Sequence, residues 1–148
     1  MQRSPQTYGH KSRNIFRMNH IVKKMYDGDL FSQWLGIRIL EEGKGISKLE
    51  MTVRPEMVNG FGVAHGAITF ALADSALAFA SNAHGRKSMS VEASVNHFKT
   101  VSVGDVLTAI AEETSLGHKL GFYLIKVWRG DDLVASFKGI VYRKEQVW

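Results

Sequence analysis

The chain has 148 residues, 45% hydrophobic and 22% charged, with a formal net charge of +5. These values are ordinary for a soluble globular protein and allow one domain with a real core. There are no cysteines, which excludes disulfides and thiolate metal sites.

Six of the 19 Lys and Arg residues fall in the first 24 positions (Arg3, Lys11, Arg13, Arg17, Lys23 and Lys24), so the rest of the chain is close to balanced. No nucleic-acid partner is therefore expected. The N-terminus has no apolar run of the secretory kind, and a reducing cytoplasm is the simplest expectation for the compartment. Residues 1–13 are polar and expected to be mobile. Ile15, Phe16, Met18, Ile21, Val22, Met25 and Tyr26 recur at spacings of three and four. That predicts an amphipathic helix over 14–30, ending near Gly28. The division of the chain follows: 1–30 as a leading segment with this helix, and 31–148 as the main domain. Phe31 to Leu35 adds a turn, with Gly36 as its stop.

Ile37 to Leu40 reads as a short strand and Glu41 to Gly45 as a turn. From Ser47 to Val53, Leu49, Met51 and Val53 alternate with Lys48, Glu50 and Thr52, the pattern of a half-buried strand. Pro55 closes it. A loop rich in Gly and Asn precedes a long helix from about His65 to Ala83. Four strands are predicted after it: Ser88 to Phe98, with Met89, Val91, Ala93 and Val95 on one side; Val106 to Glu113; Lys119 to Trp128; and Leu133 to Arg143. Their short Gly- and Asp-bearing connectors imply an antiparallel sheet. The expected class is α+β, with the sheet wrapped around one long central helix.

That helix is apolar all round, which predicts burial. The interruptions at Asp74, Ser75, Ser81 and Asn82 argue against a membrane span. Asp74 is its one charged residue. The positions three and four away are Phe70, Ala71, Leu77 and Ala78, none of which pairs with a carboxylate. Asp74 must then reach water or a polar cleft, or hold its proton to higher pH. Either suits a general base or a nucleophile. The plainer alternative is a structural hydrogen bond from helix to strand. At the helix entrance, Asn59-Gly60-Phe61-Gly62-Val63-Ala64-His65-Gly66 sets glycines and polar groups beside free backbone N–H groups, an arrangement favourable to an oxyanion. Simple turn chemistry explains the same glycines.

The run Asn59-x5-His65-Gly66-Ala67-x2-Phe70-x-Leu72-Ala73-Asp74, followed by Ala80-x-Asn82, resembles the signature of the PaaI-type (phenylacetate-pathway) hotdog-fold thioesterases, and the strand order fits that fold over about residues 35–144. The chain departs from the family pattern at Ala67, where a second glycine is usual, and at Lys99-Thr100, where Arg-Pro is frequent. The resemblance implies hydrolysis of an acyl-CoA thioester without specifying the acyl group, and the bulk of Phe70, Leu77 and Phe98 suits an aromatic or medium-chain one. It implies Asp74 as the catalytic carboxylate, Gly66 as the backbone donor to the thioester carbonyl, and Asn59 as a residue placing water or carbonyl. His65 is the motif histidine. It also implies a homodimer whose site lies between subunits, pairing again into a homotetramer. No cofactor and no metal are expected, coenzyme A being part of the substrate. Phe70, Leu77 and Phe98 are candidates to line the acyl pocket, and Ser90 is a further candidate on the strand after the helix. Lys99, His118 and Lys119 are candidates for the CoA phosphates, with Arg143 and Lys144 behind them. The other readings are a non-catalytic acyl-CoA-binding hotdog module, a hydratase of that fold, whose Asp and His pattern is missing here, and a structural protein with a buried carboxyl.

Overall fold

The computed structural model describes residues 17–148. The polar segment 1–13 and the start of the expected helix at 14–16 lie outside the described residues. The first helix, α1 (His20–Gly28), begins later than its apolar spacing predicts, because Asn19 caps it: the Asn19 side chain accepts from the Ile21 N–H at 2.9 Å. Ile21 and Val22 on its inner face are buried, and Val22 joins the main core. Asp29 caps the next helix, α2 (Leu30–Leu35), by accepting from the Ser32 N–H. Gly36 ends it with φ of 74°, a left-handed turn that glycine adopts without penalty.

Six strands follow, interrupted by one long helix. They are β1 (Arg38–Gly43), β2 (Ile46–Thr52), β3 (Arg86–His97), β4 (Val106–Leu116), β5 (Leu120–Arg129) and β6 (Asp132–Val147), with α3 (Gly66–Asn82) between β2 and β3. They form a single sheet in the order β1-β2-β4-β5-β6-β3, every neighbouring pair antiparallel. Alternate residues of each central strand turn inward: Leu49 and Met51, Leu107, Ala109 and Ala111, Tyr123, Ile125 and Val127 are all buried. The sheet curls over α3, giving the α+β architecture of a sheet wrapped around one helix.

The missing side chain of Gly139 lets α3 approach β6 closely. A Cβ placed on Gly139 of β6 would stand 2.5 Å from Leu77 Cδ2. The hairpin of β1 and β2 is tied to the same helix, since Ser47 Oγ donates to Ala76 O at 2.7 Å and Gly45 N–H donates to Ala80 O at 3.0 Å. These bonds pin α3 and hold its side chains in fixed places.

At one edge of the sheet lies β3, which differs from its expected pattern. Ala93 and Val95 pack on the core, whereas Met89 and Val91 are 58% and 62% exposed. The register with β6 shifts between Ser90 and Glu92. This bulge carries Val91 as an extra residue and breaks the two-residue alternation. The result is an open strand edge bearing two large apolar side chains.

Candidate active site

Asp74 sits midway along α3, half-buried, and makes no side-chain hydrogen bond among the described residues. Burial holds its carboxyl above the usual carboxylate range, and the nearby charge of Asp29 pushes in the same direction. The two elements are joined by a short polar chain. Ser32 Oγ donates to Asp29 Oδ2 at 2.5 Å and meets Ser75 Oγ at 2.9 Å. Asp29, the cap of α2, is thereby held beside the carboxyl it perturbs. Asp74 opens on a cavity of about 370 Å³ lined also by Met25, Leu77, Ala78, Ser90 and Trp148. Of the residues expected around the acyl group, Leu77 and Ser90 are therefore in place beside Asp74.

Gly66 is the first residue of α3. The preceding loop is folded back on itself: Asn59 N–H donates to Val63 O, while Asn59 Oδ1 accepts from the Phe61 and Val63 N–H groups at 2.9 and 3.4 Å. The Asn59 carbonyl is thus used locally, and its amide hydrogens are left for other partners. His65 caps α3 through Nδ1, which accepts from the Ala67 N–H at 3.0 Å. The Gly66 N–H meets no acceptor among the described residues. A second cavity, of about 300 Å³, lies against it and includes Thr69, His97, Phe98 and Lys99. Lys99 reaches across to Asp132, 2.5 Å from Nζ.

The carboxyl and the backbone donor are not brought together within one chain. They lie eight residues apart on one helix, a rise of about 12 Å, and they open on different cavities. Phe70 lies between them, edge-on to Phe137 at 5.1 Å, and lines neither. His118 and Lys119 are exposed in the turn between β4 and β5, away from both cavities.

Sequence patterning missed several residues. A Cβ on Gly66 would stand 3.2 Å from His97 Nε2, so the His97 ring packs directly against the glycine that opens α3. Met25 was legible only as part of an apolar helix stripe, and Trp148 carried no signal, yet both line the Asp74 cavity. Their placement depends on contacts between distant parts of the chain. Among the described residues no group of three or more His, Asp or Glu is placed to hold a metal, and no helix is long and apolar enough to cross a membrane.

A six-stranded antiparallel sheet curled on one long helix is the architecture of the hotdog-fold thioesterases. The family model of the thioesterase superfamily matches residues 61–136. A relative from Archaeoglobus fulgidus, which carries a provisional esterase name, is 42% identical over 120 residues, covering 80% of this chain and 78% of its own. The acyl-coenzyme A thioesterase PaaI of Escherichia coli is 33% identical over 120 residues, covering 80% of this chain and 86% of its own. The solved structure of the E. coli PaaI protein superposes with a TM-score of 0.84 at 31% identity, over 86% of this chain and 93% of that one. The chain belongs to the thioesterase superfamily, as a PaaI-type hotdog thioesterase.

Proposed function

We propose that the protein hydrolyses an acyl-CoA thioester with an aromatic or medium-chain acyl group, at a site shared between two copies of the chain. The observation that carries this reading is Asp74: one carboxyl on an apolar helix, without a hydrogen-bond partner among the described residues, lining a cavity of about 370 Å³. The E. coli relative is named for the same chemistry.

In this reading Asp74 of one subunit faces Gly66 and Asn59 of a second copy. Two features support a paired arrangement. Asp74 and Gly66 of one chain stand too far apart to touch one carbonyl carbon and its oxygen, and β3 offers an open edge with Met89 and Val91 uncovered. The thioester carbonyl then lies with its oxygen toward the Gly66 N–H at the positive end of α3. Asp74 takes a proton from water as the water oxygen attacks the carbonyl carbon, or attacks it directly to give a mixed anhydride that water then opens. The C–S bond breaks, the thiolate of CoA leaves and is protonated, and the acid is released. Asn59 places the water or the carbonyl through its free amide hydrogens. Lys99, at the rim of the Gly66 cavity, is assigned to a CoA phosphate, with His118 and Lys119 farther out.

Asp74→Asn keeps the shape and removes the base. Turnover should fall by about a hundredfold or more with the circular dichroism spectrum unchanged. The measurement is thiol release across a panel of acyl-CoA substrates. Undiminished turnover in the variant would remove Asp74 from the chemistry. Wild-type protein that binds acyl-CoA without releasing thiol from any member of the panel would instead support a binding module.

A further inference from the structure

The cavity at Asp74 has a far end. Asp74, Ala78 and Asn82 follow at four-residue intervals on α3, with Leu77 and Ser81 beside them, so all five face it. It therefore runs along the helix for about 12 Å from the carboxyl. Met25 of α1, Met89 of β3 and Val141 of β6 give it apolar walls. Trp148 stands at the Asn82 end. Its indole Nε1 donates to Asn82 Oδ1 at 2.8 Å, its backbone N–H donates to Gly85 O at 3.1 Å, and Lys87 Nζ lies 5.2 Å from its ring centre. Asn82, 1% exposed, is itself fixed. Its Nδ2 donates to Ala78 O at 2.9 Å and Ser88 O at 3.0 Å, and its Oδ1 also accepts from the Ser88 N–H at 2.9 Å. With both amide hydrogens and the oxygen engaged, the amide has no second orientation in which to release the indole. The ring is a firm wall.

We propose that Trp148, held by Asn82, sets the longest acyl chain the enzyme accepts by closing the cavity that begins at Asp74. This rests on the reading of Asp74 as the hydrolytic carboxyl. A carbonyl beside Asp74 sends its acyl chain along α3 past Ala78. A length of about 12 Å holds an extended chain of roughly eight carbons, or a phenyl ring on a short linker. Each methylene that fits favours binding by about fourfold, and the first that does not fit meets the indole.

The test compares kcat/KM for straight-chain acyl-CoA substrates from butanoyl to hexadecanoyl in wild type, Trp148→Ala and Ala78→Leu. The binding of the matching S-alkyl-CoA thioethers, which cannot be hydrolysed, is measured by calorimetry on the same three proteins. Wild type should show a steep fall past roughly eight carbons. Trp148→Ala should move the fall to longer chains and raise the dodecanoyl-to-octanoyl ratio about tenfold or more. Ala78→Leu, which fills the channel midway, should move it the other way, and it supplies a variant that leaves the Trp148 clamp intact. A Trp148→Ala profile that superimposes on wild type, in hydrolysis or in thioether binding, overturns the assignment while leaving the thioesterase reading standing. Thioether binding that shifts with the variants, beside no hydrolysis by any of them, upholds the wall and overturns the thioesterase reading.

Discussion

A carboxyl on an apolar helix serves catalysis and stability in opposite directions. Burial and the neighbouring Asp29 hold the Asp74 proton to higher pH in the folded protein than in the unfolded chain. Between those two values the unfolded chain has lost its proton and the folded one has kept it, so stability falls as pH rises through that window. Above the window the whole cost remains, and below the ordinary carboxylate pKa of about 4 it disappears. Asp74→Asn should therefore melt at a higher temperature than wild type at about pH 8, and the two melting temperatures should converge as the pH is lowered through the window. Thermal unfolding across that range is the measurement. A variant no more stable than wild type at alkaline pH would mean that the carboxylate is solvated in the fold after all.

At the scale of the element, α3 is defined by its contacts. Its all-apolar composition and single charge made the helix and its lone carboxyl legible in the sequence, and the observed span Gly66–Asn82 falls inside the range those residues predicted. Strand β2 was legible for a similar reason, since Leu49 and Met51 alternate cleanly and both are buried. The open edge at β3 was not legible. Met89 and Val91 alternate like the residues of a half-buried strand, and a local pattern carries no information about which strand lies alongside. Trp148 is a sharper case, because its role depends on Asn82, 66 positions earlier in the chain. The site was legible only in part for a related reason: Asp74 announces itself by its setting, while His97 becomes visible only once β3 reaches the start of α3. The closeness of α3 to the sheet gives a direct test. Gly139→Ala brings a methyl within 2.5 Å of Leu77 Cδ2, between a fixed helix and a central part of β6. Overpacking of this kind should lower stability by about 1–3 kcal/mol, read by urea unfolding. Unchanged stability would show that the Leu77 side chain can turn aside without loss of packing, since the bonds from Ser47 and Gly45 tie the helix itself down.

For the molecule as a whole, the open edge of β3 and the separation of Gly66 from Asp74 point the same way. A charge at the centre of that edge, Val91→Glu, should leave the monomer folded, since Val91 packs on nothing buried, and should abolish self-association in sedimentation. If the site is shared, hydrolysis should be lost together with the pairing. A monomeric variant with full turnover would place both groups' work within one chain. If the site is shared between two chains as proposed, the separation of donor and carboxyl along the helix also has a kinetic meaning. A reaction centre divided between two chains obeys the law of mass action twice, once for substrate and once for its own other half. Below the dissociation constant of the pair, the rate per mole of protein falls as the solution is diluted. A thioester gripped from both sides then works as an assembly factor as well as a reactant, drawing the halves together as its concentration rises.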